Sequence, residues 1–206
     1  MAYIDIDYFE QRQDVTLNDT DFPKEALVTS WITQADEEIN KDLGRNFATG
    51  NYTLTLQPLQ TKVPTYILFL PNTPISGTPI VSVDKARNSF SPSMQSVSCV
   101  VLDSATGMIE LSESICNQKV VVTYTGGYAS NAIPEDVKYL SYLIVCRIKA
   151  DTEMRQELGD DTTTSISSIT VRERSGSNLQ TKFDRLDNEI KNLKNKLGEK
   201  LFIGFY

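Results

Sequence analysis

The sequence contains no histidine among its 206 residues. Histidine is the side chain that most often serves as a general base and as a metal ligand near neutral pH. Its absence excludes Ser-His and Cys-His nucleophile pairs. Any enzyme built on this chain would have to use carboxylates, lysine or tyrosine, and we expect neither a metal ion nor another cofactor.

Cysteines and long apolar runs are also scarce. The three cysteines, Cys99, Cys116 and Cys146, lie far apart and form no Cys-x-x-Cys pair. This spacing predicts neither a zinc site nor a disulfide framework and favours a reducing compartment. No run approaches the roughly 20 apolar residues of a membrane span, and "MAYIDIDYFEQRQD" has acids where a signal peptide has bases. We therefore expect synthesis in the cytoplasm and no membrane contact.

Basic residues are outnumbered, since the formal net charge is −7 and the pI is about 4.7. Acids outnumber bases 11 to 4 in residues 1–60. Affinity for phosphate backbones comes from clustered lysine and arginine, so a protein whose main task is to grip DNA is disfavoured. The 40% hydrophobic and 23% charged residues are ordinary for a globular protein and predict one domain with appendages.

Two segments have the apolar spacing of helices. In "FPKEALVTSWITQADEEINKDLGRNF" apolar residues recur every three or four positions. This predicts an amphipathic helix with Asp21 as its N-cap, Pro23 in its first turn and Gly44 at its end. In "PEDVKYLSYLIVCRIKAD" apolar residues cover most of the circumference, which predicts a helix buried on more than one side.

Six short segments between these helices have β signals and are bounded by Pro, Gly, Asn or Ser: "NYTLTLQ", "TYILFL", "PIVSVDKA", "SCVVLD", "GMIELS" and "KVVVTYT". Their spacing predicts a meandering antiparallel sheet. The segment "DSATG" between two of them predicts a hairpin turn in which Gly107 has a positive φ.

The last quarter of the chain has a different pattern. Residues 159–178 are rich in Ser, Thr and Gly and predict a loop that holds one short strand, "SITVRE". Residues 179–206 predict an amphipathic arm, because apolar residues alternate by four and three positions before the chain continues into "LFIGFY". We predict that the arm binds a partner through the following residues: Leu179, Phe183, Leu186, Ile190, Leu193, Leu197, Leu201, Phe202, Ile203, Phe205 and Tyr206.

Docking of this arm on its own domain is the alternative. A Ser/Gly-rich segment separates the apolar stripe from the core signals, which favours a separate partner. In that arrangement the basic residues beside the stripe would face solvent or an acidic partner: Lys182, Arg185, Lys191, Lys194 and Lys196.

The stretch "TGGYA" before the second helix is a candidate phosphate loop. It lacks the glycine spacing of dinucleotide-binding and Walker loops, and no lysine follows it. The acids Glu135 and Asp136 at the start of the helix would repel a phosphate. A corner between a strand and a helix is therefore favoured over an anion site.

Two acidic clusters are candidates for acid-base chemistry, namely "DEE" at 36–38 and "GDD" at 159–161. The first lies on the polar side of a predicted helix and the second in a predicted polar loop, so both are predicted to be solvated surface. Cys146 is predicted to be a buried structural thiol and Trp31 a core anchor.

The order of these segments resembles the head-to-tail connector family, the adaptor proteins below the portal of long-tailed double-stranded DNA bacteriophages. The resemblance covers roughly residues 3–151 and rests on four segments in fixed order: "ITQADEEINKDLGRNF", "LPNTPISGTPIVSVD", "VLDSATGMIEL" and "VVVTYTGGYASNAIPEDVKYLSYLIVCRI". It implies an α+β fold, in which a helical domain carries a small antiparallel β-sheet insertion and an extended C-terminal helical arm.

The resemblance also implies partners. It implies a homo-oligomeric ring, dodecameric as in the family, with the portal protein above and a stopper or tail-terminator protein below. Genomic DNA would pass through without specific binding, and the arm residues named above would bind the portal. The family brings no catalytic residues, and the implied location is the host cytoplasm during assembly and then the neck of the virion.

We accordingly divide the chain into a connector core (1–158), a Ser/Thr/Gly-rich loop with a short strand (159–178) and a C-terminal amphipathic arm (179–206). Two alternatives stay open. One is a tail-completion or coiled-coil scaffold protein unrelated to the portal. The other is an enzyme that uses carboxylates, which a raised pKa of Asp36 or Asp160 inside a cleft would favour.

Overall fold

The computed structural model describes residues 2–61, 63–86, 93–159 and 166–199. Within these ranges the chain has an α+β fold with four α-helices and two small antiparallel sheets. The helices are α1 Ile6–Gln13, α2 Glu25–Leu43, α3 Glu135–Gly159 and α4 Ile166–Glu199. The strands are β1 Gly50–Leu56, β2 Thr65–Phe69, β3 Ile75–Asp84, β4 Met94–Val97, β5 Cys99–Asp103, β6 Met108–Ile115 and β7 Val120–Gly126.

The described chain divides into two compact units. Among the described residues, the helical unit contains those up to Leu43 and those from Pro134 to Glu199, whereas the β unit contains those from Gly44 to Ile133. The β unit is thus an insertion between two helices of the helical unit, and the predicted fold class is confirmed.

The two predicted helices of the helical unit are present. The apolar stripe of α2 is buried at Val28, Trp31 and Ile39, and Gly44 follows the helix with a φ of 63°. The helix begins at Glu25, and the backbone N–H groups of Leu27 and Val28 donate to the Lys24 carbonyl. Lys24 therefore has the N-cap position, so the predictions of Asp21 as the N-cap and of Pro23 in the first turn are wrong. Helix α3 is buried on more than one side, as predicted, at Val137, Leu140, Leu143, Ile144 and Val145.

Helix α1 was not predicted from the sequence. Asp5 caps it by accepting a hydrogen bond from the backbone N–H of Tyr8 at 2.9 Å, and Asp14 ends it in the left-handed conformation with a φ of 53°. Its single apolar anchor is Phe9, which is fully buried. One anchor in eight residues gives no periodic signal, so local capping chemistry was the only sequence evidence for this helix.

The predicted strand "SITVRE" is wrong, because residues from Ile166 onward belong to α4. Extending an existing helix adds one hydrogen bond per residue fixed and avoids the cost of nucleation. The arm provides that helix, and Gly176 in its interior costs only about 1 kcal/mol relative to alanine. Within the predicted 159–178 loop, residues 166–178 are therefore helical, while residues 160–165 lie outside the described ranges.

The β unit has two sheets rather than the single predicted meander. Their strand orders are β1-β7-β3-β4 and β2-β6-β5, and all of their paired strands are antiparallel. Alternation along a strand indicates which face is buried but not which strand is its neighbour, so the meander prediction failed at the pairing of β7 with β1. The strand β4 was also missed.

The core of the β unit lies between the two sheets. It combines the inward residues of both, namely Leu68, Leu70, Ile75, Val81, Val83, Val97, Ile109, Leu111, Ile115, Val120, Val122 and Tyr124. The β5–β6 hairpin is confirmed, with a φ of 76° at Gly107. A side chain at this glycine would meet the carbonyl oxygen of Leu70 at 2.3 Å.

Candidate functional site

The "TGGYA" stretch is a corner, as predicted. Strand β7 ends at Gly126, and Gly127 has a φ of 89°. The backbone N–H of Gly127 donates to the Pro74 carbonyl at 3.0 Å, and that of Tyr128 donates to the Phe47 carbonyl at 2.7 Å. Because both amides are engaged within the β unit, they are not available to cradle a phosphate.

The glycine pair is required by a close approach of backbone. A Cβ at Gly126 would lie 1.9 Å from the Asn72 carbonyl oxygen, and one at Gly127 would lie 2.2 Å from the Ala48 carbonyl oxygen. The absence of a side chain at these two glycines therefore lets the end of β7 approach the backbone before β1 and β3, which is a structural role.

Asp36 corrects the prediction that the "DEE" cluster is solvated. Its side chain is buried, and its two oxygens accept hydrogen bonds from the Tyr3 backbone N–H and the Ser141 hydroxyl, each at 2.9 Å. Burial raises the pKa of Asp36 to about 6, against the lowering effect of these two hydrogen bonds. Helical periodicity missed it because position 36 lies at the boundary between the polar side and the buried stripe.

Asp36 lines neither of two depressions on the helical unit, which have volumes of about 480 and 530 Å³. Both of its oxygens serve to join α2 to the segment before α1 and to α3. A carboxylate enzyme would be favoured by a raised pKa of Asp36 inside a cleft. The pKa is raised, but Asp36 lines neither depression. Asp160 and Asp161 lie outside the described residues.

The predicted role of Trp31 agrees with the structure, whereas Cys146, predicted to be buried, is half-buried. Trp31 is buried, and its ring contacts that of Phe22 with 6.2 Å between centroids. Burial raises the pKa of the Cys146 thiol, which disfavours the thiolate that a nucleophile needs. Among the described residues, no three potential metal ligands of the His, Cys, Asp or Glu type come together, and no helix is long and apolar enough to cross a membrane.

The apolar stripe of the arm packs against its own helical unit. Ile190 and Leu197 are buried, while Phe183, Leu186 and Leu193 are half-buried. Helix α4 contacts α3 and α2, so the alternative of docking on its own domain describes this part of the arm. The side chain of Leu179 and residues 201–206, which complete the predicted portal-binding set, lie outside what the structure describes.

Ion pairs fasten α4 to the same surface. The ammonium of Lys194 lies 2.7 Å from a carboxylate oxygen of Glu38 and 2.6 Å from one of Asp42. Arg147 of α3 pairs with the same Glu38 at 2.5 Å. Lys196 pairs with Asp136 at 3.1 Å. The prediction that the basic residues beside the stripe face solvent or a partner is therefore wrong for Lys194, whose side chain is 19% exposed. It holds for Lys196, whose side chain is 56% exposed despite its pair with Asp136.

A second cluster, missed from the sequence, fastens α1 to α3. The guanidinium of Arg12 lies 4.9 Å from the ring centre of Tyr8, 5.0 Å from that of Tyr139 and 5.7 Å from that of Tyr142. Glu135 accepts hydrogen bonds from Arg12 at 2.8 Å and from the Tyr8 hydroxyl at 2.6 Å. Burial, followed by the hydrogen bond to Glu135, raises the pKa of Tyr8 to about 12.

The outer face of the three-stranded sheet is apolar, a feature that the sequence pattern did not predict. Ile67 is 38% exposed and Val100 is 63% exposed, and they lie on either side of Glu110 in the register. The sequence signal was present in "YILFL" and "CVVL", since these runs are apolar at consecutive positions instead of alternating.

No protein-family model matches this sequence, and no curated protein matches it. Solved structures do match. A chain from the neck of an empty GTA particle, computed with C6 symmetry, has a TM-score of 0.51 and 16% identity, covering 70% of this chain and 76% of that chain. At this identity the match establishes a shared fold.

Two further chains are similar at lower TM-scores. One is from the virion of a native gene transfer agent (GTA) particle, with a TM-score of 0.48, 16% identity and coverage of 80% of this chain and 83% of that chain. The other is from the neck of a native GTA particle computed with C12 symmetry, with a TM-score of 0.41, 17% identity and coverage of 69% of this chain and 76% of that chain.

Proposed function

We propose that this chain is a structural protein of the neck of a phage-like particle. In this role it forms the adaptor ring beneath the portal, joins capsid to tail and continues the DNA channel. The observation that carries the proposal is the fold it shares with a chain from the neck of a GTA particle. The four segments that resemble the head-to-tail connector family support the same role independently.

The proposed ring contains identical copies, with the portal above and a stopper or tail-terminator protein below. The C6 symmetry used for the GTA neck supports a ring whose copy number is a multiple of six, and the family resemblance favours twelve. A heterologous contact, in which two different patches of each copy meet, closes such a ring.

The distribution of charge supports a channel through which DNA slides. Residues 1–43 carry 11 acids and 3 bases, and Asp5, Asp7 and Glu25 are among the acids on the surface of the helical unit. A surface of this sign repels phosphate and disfavours sticking.

The portal contact is proposed for the C-terminal arm. Because Ile190 and Leu197 are buried in their own helical unit, the portal would meet the remaining side of α4. A coiled-coil scaffold is less well supported, since the apolar stripe that would form it packs within the chain. A carboxylate enzyme is less well supported too, since both oxygens of Asp36 hold structural hydrogen bonds.

Co-expression with the portal protein of the same particle tests the function. We expect the two proteins to co-purify, and electron microscopy to show a ring stacked on the portal with one axis in common. Full-length protein that neither joins the portal nor enters purified particles would contradict the proposal. A matched assay for hydrolysis of nucleotides and glycosides should show no turnover above a buffer control.

A further inference from the structure

The outer face of the three-stranded sheet is unusual for a solvated surface. Ile67 on β2 and Val100 on β5 point outward on either side of Glu110, and Leu102 and Tyr66, at irregularities of the pairing, are 47% and 54% exposed. Phe69 and Met108, half-buried, form the next pair along the register. These residues, which surround Glu110, form the apolar face of the sheet.

The four-stranded sheet of the same unit provides an internal comparison. Its outward positions are mainly hydroxyl side chains, with Ile80 and Met94 as exposed apolar exceptions: Thr53, Thr55, Ser82, Ser96, Thr123 and Thr125. An antiparallel sheet with one solvated side normally alternates in this way, with apolar residues inside and polar residues outside. Ile80 pairs with Thr123 and Met94 with Asp84, so the exposed apolar residues of the four-stranded sheet have polar partners across the strands. In the three-stranded sheet exposed apolar residues lie on both sides of Glu110 and next to the Phe69–Met108 pair, so its outer face is suited to being covered by another surface.

We propose that residues 201–206 of a neighbouring copy cover the apolar face. These residues, "LFIGFY", include five large apolar side chains in six positions. Extended, they would span about 20 Å, comparable with the length of a strand of this sheet. Lys200 precedes them, and its positive charge complements Glu110 at the centre of the face.

This inference rests on the proposed ring, which favours a neighbouring copy over the same chain as the source of residues 201–206. A ring needs two different patches that meet between successive copies, and an apolar chain segment with an apolar sheet face is such a pair. The inference assigns five of the predicted portal-binding residues to another copy of the chain and leaves the portal contact to α4. Residues 201–206 are not expected to pair as an added strand along the edge of β2. There the Thr65 hydroxyl already donates to the Ile67 carbonyl and accepts from the Ile67 N–H.

Assembly of full-length protein, alone and with the portal, is the first test. We expect the parent to form rings, and Val100→Asp or removal of residues 201–206 to raise the concentration needed for assembly at least tenfold. Thr123→Asp is the matched control, because it places the same charge on the outer face of the other sheet. Melting curves should show that all variants stay folded, since Val100 and Thr123 are exposed.

A charge exchange makes the test independent of folding defects. Glu110→Lys and Lys200→Glu should each weaken assembly severalfold, and the double variant should recover most of the loss. Assembly of the single variants at parental concentrations, or a double variant no better than the singles, would overturn the proposal.

Photo-cross-linking from position 202 identifies the occupant directly. The full-length chain, with a benzoylphenylalanine in place of Phe202, is prepared in light and heavy isotopic forms and mixed before assembly. We expect links between light and heavy chains that map to β2 or β5. The proposal would be overturned if links formed only within one isotopic form or only to the portal. It would also be overturned if the parent stayed monomeric in both preparations. Truncated protein that still joins portal and particle, with rings at the parental concentration, would refute this inference and leave the proposed function intact.

Discussion

The helical unit and the β unit expose different chemistry. Residues 1–43 and 134–203 contain 23 acids and 15 bases, whereas residues 44–133 contain 4 acids and 5 bases. The large apolar side chains that are exposed show the opposite distribution. Two of those identified, Val15 and Phe22, lie in the helical unit, and the others lie in the β unit: Val63, Tyr66, Ile67, Ile80, Met94, Val100 and Leu102.

This difference indicates a division of labour. In the helical unit, charged side chains are used to fasten elements together, as with Lys194 between Glu38 and Asp42. In the β unit, two sheets bury one apolar core and leave a second apolar surface outside. The charge of the helical unit therefore disfavours non-specific association, while the β unit offers the apolar surface that association favours.

The largest effect is expected from Gly126→Val in the β unit. The new side chain would meet the Asn72 carbonyl oxygen, which a Cβ alone would approach to 1.9 Å. We expect a loss of about 4 kcal/mol or more, the range in which backbone strain and overpacking act together. Hydrogen exchange should show loss of protection first in β7 and β1. Gly198→Val, where a Cβ meets nothing within 4 Å, is the control, and equal melting of both variants would contradict the corner geometry.

The second effect tests the docked arm of the helical unit. Ile190→Ala should destabilise the chain by about 2–5 kcal/mol, because it removes a fully packed side chain between α4 and its neighbours. Lys191→Ala, on the exposed side of the same helix, should change stability by less than about 0.5 kcal/mol. Urea denaturation measures both. Parental stability of the Ile190→Ala variant would mean that α4 is undocked in solution, as the sequence pattern alone favours.

The third effect depends on pH and concerns Asp36. Because its pKa is raised from 3.8 to about 6 in the folded chain, folding favours the protonated form. The stabilising contribution is complete below about pH 4 and is lost as the pH rises through 6. Near pH 7 the ionised group costs about 3 kcal/mol relative to a neutral one, since one pKa unit corresponds to about 1.4 kcal/mol.

Asp36→Asn should therefore match the parent near pH 4 and exceed its stability above pH 6. The amide can still accept from the Tyr3 N–H and can donate to the Ser141 oxygen, so the hydrogen-bonding geometry is retained. Glu37→Gln, one residue along on the exposed side, should show no such crossover. An Asp36→Asn variant that is less stable than the parent throughout the range would refute the raised pKa.

Sequence patterns captured the elements whose side-chain period is long and regular. The stripe of α2, the buried circumference of α3 and six of the strands follow from spacing alone. Tertiary partners decided the rest. Nothing in the period of β7 indicates that it pairs with β1, and nothing in the heptad of α4 states whether its partner is α3 or another protein.

The candidate site was predictable to a lesser degree. The glycine corner was predictable because the stretch lacks both the glycine spacing of phosphate loops and the lysine that follows them. Both features can be read directly from a sequence. Asp36 was missed because burial at the edge of a helical stripe depends on the segment around Tyr3, which carries no pattern. The apolar face was not predicted because consecutive apolar residues indicate a strand but not which side of the sheet each residue occupies.

The smallest effect concerns the salt dependence of the Lys194 ion pairs, which lie in the helical unit and not in the β unit. Lys194→Gln removes a cation that bridges two carboxylates, while Glu38 keeps its pair with Arg147. Since Asp42 is partly exposed and can be hydrated, the expected loss is only about 1 kcal/mol at low salt. At 1 M salt, where the Debye length falls to about 3 Å, the difference from the parent should shrink. Lys191→Gln on the same helix is the control.

Protection of the β-unit amides from hydrogen exchange should be unchanged in either variant, because Lys194 makes its contacts in the helical unit. A loss that is independent of salt would mean that Lys194 acts through packing of its alkyl chain instead of its charge.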